Sequence, residues 1–297
     1  MSKTSAILQS LGFSCGLDVF QISQQRQALF VACNFMENRI LNILDSLTND
    51  KLTTKTVYKY HRVNKFLYDL LINNEIWFSD PFSFNDPFDC NLTIDGNNTP
   101  DQIKNYYKIA NWKNSQDTDE AIQRLIETNF ADKEAFQKKI NSISKQVIGK
   151  LGLTCFTQTK DNLLMWAHYT EDHKGLCLEF DHTKDEEFFR PFKKVSYNKT
   201  YPTYNYYNDK KNVVGQLMLH KSDHWKYEKE ARLIKKKSGL YSFKPESLTG
   251  IYFGVRTPNE QIKTIKKLIQ ERQKYNQVKF YKATIDTKDY KLVFDTV

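Results

Sequence analysis

The residues best suited to chemistry lie late in the chain, in HWKYEKEARLI at residues 224–234. Glu228, Glu230 and Arg232 alternate there, while Ala231 and Leu233 face the other way. On a strand, that spacing puts both carboxylates and the guanidinium on one face. In a pocket, such a guanidinium keeps a carboxylate ionised. On an open surface the same pair carries little energetic weight. Trp225 and Tyr227 alongside favour the pocket.

Three further stretches hold reactive side chains. Leu151 to Asp181 reads LGLTCFTQTKDNLLMWAHYTEDHKGLCLEFD. Its apolar runs LTCF and LCLEF flank Thr157 and a cluster of Met165, Trp166, His168 and Tyr169. His168 suits proton transfer, although a histidine between Trp and Tyr is more often a hydrogen-bonded core residue. YKYHR, from Tyr58 to Arg62, alternates in the manner of a strand. SDPFSFNDPFDC carries Asn85, Asp86 and Asp89, which either form turns or ligate a cation. A metal-dependent nuclease would draw on Asp86, Asp89, His168 and Glu230. The prolines beside the acids favour turns, so no metal ligand is assigned.

These residues need a folded frame, and the chain supplies one. It has 297 residues, 40% of them hydrophobic, enough for a sizeable core. Neither GxGxxG nor GxxxxGK[ST] occurs, which excludes the glycine-rich phosphate loops. Five cysteines without a CxxC pair read as free, buried thiols in a reducing cytoplasm. No signal peptide or membrane span is expected. The formal charge is +9, and Lys184 to Leu240 holds 12 Lys and 2 Arg against 7 acidic residues. That excess suits a polyanionic partner, RNA or DNA, as well as a solvated surface.

In order, residues 1–56 form an N-terminal extension. Leu29, Cys33, Met36, Ile40, Ile43 and Leu47 lie on one face of a helix there. That face packs on its own chain, on a second copy, or on a regulatory partner or antitoxin. Residues 57–297 form one α+β domain. Phe66, Leu67, Leu70 and Leu71 predict a helix, and Ile76 to Phe78 a strand. Residues 95–150 read as a helical insertion. The tyrosine-rich run from Asp181 to Tyr207 predicts a hairpin, or else a stacking surface for single-stranded nucleic acid. Lys210 to Lys221 predicts a helix. Leu248 to Val255, a helix from Thr257, Val278 to Ile285 and a last strand at KDYKLVFD close the chain.

YKYH, LLINNEIWFSDPFSFNDPFD, the Leu151–Asp181 stretch, HWKYEKEARLI and LTGIYFG together resemble a bacterial family, the domain of unknown function twenty-nine seventy-one, found in phage-defence and abortive-infection loci. Their order is also distantly similar to the ADP-ribosyltransferases. That second resemblance implies a split β-sheet core and NAD as co-substrate. It implies a toxin or effector of antiviral defence that modifies a macromolecule, with nucleic acid favoured by the charge. It assigns Glu230 and Glu228 the catalytic carboxylates, with His168 beside them. NAD-contacting positions would be Tyr58, Tyr60, His61, Thr157, Trp166, Tyr169 and Arg232. The chain has neither an Arg…Ser-Thr-Ser…Glu nor a His…Tyr…Glu set. A nucleic-acid-binding module without catalysis is the alternative from another class.

Overall fold

A computed structural model describes residues 50–297, apart from 51, 53, 92, 96, 110–122, 124–125, 128–132, 206 and 208–212. The amphipathic run from Leu29 to Leu47 therefore lies outside the described residues, as does Ala121 with its capping residues.

The first unit is β1 (Thr56–His61), α1 (Lys65–Asn73) and β2 (Glu75–Phe78). The Asn64 side chain accepts from the Leu67 amide to start α1, and Asn74, in the left-handed region at φ 58°, ends it. Leu67, Leu70 and Leu71 make its buried face. After β3 (Thr93–Asp95) come α2 (Pro100–Ile109) and α3 (Lys133–Ile148), the described helices of the insertion. The middle of the chain is β4 (Gly152–Thr157), α4 (Leu163–Tyr169) and β5 (Leu176–Asp181). Short strands follow: β6 (Phe192–Lys194), β7 (Ser196–Asn198) and β8 (Thr203–Asn205), then α5 (Val213–Met218) and β9 (His220–Ser222). The chain closes with β10 (Glu230–Lys235), β11 (Gly239–Ser242), β12 (Leu248–Phe253), α6 (Asn259–Gln270), β13 (Lys279–Ile285) and β14 (Leu292–Thr296).

Eight of these strands form one sheet, in the order β14-β13-β12-β5-β1-β4-β10-β6. All its pairs are antiparallel except β12 with β13, which α6 connects. One face carries the larger core, built on Val57, Phe156, Leu178, Phe180, Ala231, Leu233 and Ile251. The α1 leucines and Ile265 and Ile269 of α6 pack into that core. The other face carries a smaller aromatic cluster around Tyr58, Trp166, Cys177 and Tyr252.

Two expectations are corrected here. The tyrosine-rich run is not a hairpin: β6 pairs with β10, β7 with β9 and β8 with β3. Each strand is three residues long, too short for a local partner to fix its register, so distant edges capture it. Lys210 to Lys221 is not one helix either. Among its described residues α5 spans Val213–Met218, and His220 already begins β9.

The centre of the sheet opens. β1 makes six register pairs with β5, and β4 makes six with β10. Between β1 and β4 only Tyr58 and Thr157 are paired. Beyond that point the two strands part.

Candidate functional site: a polar cleft where the sheet splits

The parting of β1 and β4 leaves a cavity of about 240 Å³. Tyr58, Lys59 and Tyr60 line it from β1, and Leu153 to Thr157 from β4. Met165 and Tyr169 of α4, Trp77 of β2, and Phe84, Asn85 and Asp89 of the proline loop close other sides. Lys221, Glu228 and Glu230 complete it.

Thr157 is the register partner of both Tyr58 and Glu230, so these three share one row across the sheet. Glu230 and Arg232 project to the site while Ala231 and Leu233 enter the main core. Glu228 arrives differently. It ends a 3-10 turn, Asp223–Glu228, and Lys229 follows in the left-handed region at φ 45°. The expected run of three alternating strand positions therefore holds only for Glu230 and Arg232. The kink at Lys229 turns Glu228 back over the strand end, where its carbonyl accepts from the Thr157 hydroxyl.

Arg232 is fully buried. Its Nε donates to Glu230 Oε1 at 2.7 Å, and its Nη2 to Asp89 Oδ2 at 2.6 Å and Glu230 Oε2 at 3.2 Å. Its Nη1 donates to the Met218 carbonyl at 2.7 Å and Asp89 Oδ1 at 3.1 Å. All five guanidinium hydrogens thus have acceptors, the condition for keeping such a charge inside a protein. Lys221 Nζ lies 2.6 Å from Glu228 Oε2, 3.4 Å from Glu230 Oε2 and 3.9 Å from Asp89 Oδ2. Tyr169 donates to Glu228 Oε1 at 2.5 Å.

These contacts drive the two glutamates apart. Burial would raise the Glu230 carboxyl, but Arg232 and Lys221 outweigh it and hold the group at about 2. For Glu228, burial, reinforced by the Glu230 charge, prevails over Lys221 and Tyr169 and raises the carboxyl above its ordinary value. One carboxylate is fixed in the ionised form, and its neighbour takes a proton more readily. An acid/base pair requires such a divergence, and a buried ion-pair network produces it as well. Burial and the Glu230 charge push the Cys155 thiol well up, which makes it a poor nucleophile.

The remaining residues singled out from sequence divide clearly. Tyr58, Tyr60, Thr157 and Tyr169 line the cleft. Trp166 is fully buried behind it, edge-on to Tyr60 with ring centroids 5.2 Å apart, its indole N–H on the Lys160 carbonyl. Arg232 sits beneath the lining, holding Glu230 and Asp89. His61, half-buried at the far end of β1, is not part of the lining. His168 is exposed on α4, 6.3 Å ring to ring from Trp225, and also stands outside the lining. α4 itself is anchored by Asn162. That side chain accepts from Leu164 and Met165 and donates to the Tyr227 carbonyl, tying the helix to the turn that ends in Glu228.

Asp86 and Asp89 separate as well. Asp86 accepts from the Phe88 amide in a turn, while Asp89 is buried on Arg232. Among the described residues, no group of three or more His, Cys, Asp or Glu side chains is placed to hold a metal ion. Lys59 and Lys221 were not anticipated as site residues. A lone arginine inside the apolar strand ARLI was the available signal that a buried acid must meet it. Among the described residues no helix is long and apolar enough to cross a membrane.

Fold and site together define a mixed α+β protein whose central, mostly antiparallel sheet opens onto a buried, charged cleft. The family model described as "Protein of unknown function (DUF2971)" matches residues 165–233. This is the family that the sequence motifs resemble, and the matched segment of the chain, which contains Tyr169, Lys221, Glu228, Glu230 and Arg232, belongs to it. Neither a curated protein nor a solved structure matches the chain.

Proposed function

We propose that the protein is an ADP-ribosyltransferase-like enzyme that breaks the nicotinamide–ribose bond of NAD and passes ADP-ribose to a macromolecule in antiviral defence. The observation that carries this reading is the Glu228/Glu230 pair hung over an opening in the sheet beside Tyr58, Thr157 and Tyr169. The cleft is small for a whole dinucleotide, since drug-sized ligands fill roughly 300–1,000 Å³. It suits the nicotinamide-ribose end, with the rest of the cofactor along the rim at Trp77. As the bond breaks, its electron pair leaves with nicotinamide and the ribose gains oxocarbenium character. Ionised Glu230 stabilises that charge more in the transition state than in the ground state. Glu228, with its raised pKa, accepts the proton of the attacking nucleophile. Tyr58 and Tyr60 orient the departing ring.

The basic segment after β5 supports a polyanionic target by charge alone. Tyr204 and Tyr207 of that segment are buried, and the Tyr197 hydroxyl accepts from the Glu230 amide. These rings are committed to the fold, which disfavours the reading as a stacking surface without catalysis.

The test uses the full chain with labelled NAD and a cell extract. Nicotinamide release and a labelled macromolecule are expected, both lost in Glu230→Gln and Glu228→Gln. Unchanged NAD turnover in both variants rules out this mechanism.

A further inference from the structure

The cleft contains two lysines in opposite situations. Lys221 is surrounded by three carboxylates and over the Trp225 ring, and those carboxylates prevail over burial to keep it charged. Lys59 reaches from β1 into the gap between the parted strands. Its Nζ donates to Thr154 Oγ1 and to the Cys155 carbonyl, both at 3.0 Å, and lies 5.2 Å from the centroid of the Phe156 ring. Among the described residues no carboxylate stands within ion-pair distance of it. An ammonium held by two neutral acceptors and an aromatic face loses water without gaining a counter-ion. Burial accordingly lowers its pKa, outweighing the opposing charges of the Cys155 thiol and Glu230. The two fixed acceptors aim the nitrogen and leave one further direction on it for the cleft.

We propose that Lys59 is an amine nucleophile that forms an imine with a small aldehyde, including the open-chain form of an aldose, admitted between β1 and β4. The lone pair of the neutral amine attacks the carbonyl carbon, and the carbonyl oxygen takes up a proton. The nitrogen gives up one proton in exchange for the one that oxygen took up, and its second leaves with the hydroxyl as water, giving the C=N bond. Aldehyde and amine become imine and one water, and no oxidant or reductant takes part. Buried amines without a counter-ion are the ones that act as Schiff-base lysines. This inference does not depend on NAD being a substrate.

The test is reductive trapping on the full chain. The protein is incubated with glycolaldehyde and sodium cyanoborohydride across pH 6–10, and modified lysines are mapped by mass spectrometry. The exposed Lys263 and Lys267 of α6 serve as internal standards. Lys59 should be modified severalfold faster than either near pH 7, because a lowered pKa leaves more of the amine neutral there. Its rate should level off at a pH where theirs still climb. Lys59→Arg should keep the fold by circular dichroism and lose that adduct. The wild-type map decides the matter even if this variant does not fold. A Lys59 rate no greater than that of Lys263 or Lys267, or one that follows theirs with pH, overturns the proposal.

Discussion

Arg232 and Asp89 stand 143 residues apart in sequence and meet as a buried, two-pronged ion pair, at 2.6 Å and 3.1 Å. The pair fastens the aromatic proline loop to β10, and so fixes one wall of the cleft to the strand that carries Glu230. The Phe84 ring lies over the guanidinium, 5.6 Å from its carbon, so the loop holds this charge by face as well as by carboxylate.

Removing one partner of such a pair leaves the other charge unmatched, which costs about 3–5 kcal/mol. Asp89→Ala should therefore lower the urea midpoint substantially. It should also speed chymotrypsin cleavage at Phe82, Phe84 and Phe88, since the loop loses its anchor. A variant with wild-type midpoint and wild-type cleavage would show the pair to be dispensable.

The two glutamates should respond to pH with opposite signs. Glu230 is depressed in the folded protein, so it binds its proton more weakly there than in the unfolded chain. Its contribution is present above the ordinary carboxylate pKa and is lost as pH falls from there towards about 2. Glu228 is raised, so its contribution is present at low pH and is lost as pH rises through its folded value. Thermal melts should then show Glu230→Gln destabilised at pH 7. Glu228→Gln should be as stable as wild type or more so at the same pH. Both variants falling together at pH 7 would contradict this division.

Tyr169 donates to Glu228 and favours its ionised form. Tyr169→Phe should therefore move the Glu228 titration further upward, as followed by carbon-13 NMR of labelled glutamate. A downward or absent displacement would mean that Tyr169 does not govern this carboxyl.

Gly175 sits where the chain enters β5 beside the end of β1. A Cβ built there would lie 2.2 Å from the His61 carbonyl oxygen, a backbone atom that cannot yield cheaply. Gly175→Ala should cost about 1–3 kcal/mol by overpacking and lower the melting temperature. A melting temperature equal to wild type would show that the β1–β5 junction adapts freely.

Much of the frame was legible in the sequence because its signals are local. The leucines of α1 and the alternation of β10 each declare themselves within a few residues. The mixed α+β class followed from them, whereas the eight-stranded, mostly antiparallel order of the sheet did not. The site was legible only in part. Glu230, Thr157, Tyr58 and Tyr169 stood in strongly patterned segments. Asp89 stood between a proline and a cysteine in a turn-rich loop, and nothing local separates it from Asp86. Lys59 occupies an ordinary strand position in YKYH, and its isolation appears only once β1 and β4 are seen to part. His168 shows the reverse: an aromatic neighbourhood suggested a pocket, while the helix phase turns its ring outward. The partners of β6, β7 and β8 were hidden because three-residue strands take their partners from the rest of the fold.

The solitary Tyr58–Thr157 pair gives the sheet a seam. On one side lie β14, β13, β12, β5 and β1, and on the other β4, β10 and β6. Under tension across the strands, or during partial unfolding, the ladder has one rung to give up at that line, where every neighbouring boundary within the two central strand pairs has six. The backbone amides facing the seam should therefore exchange with solvent deuterium sooner than those one strand away on either side. The line along which the molecule is easiest to open is also the line along which its cleft lies.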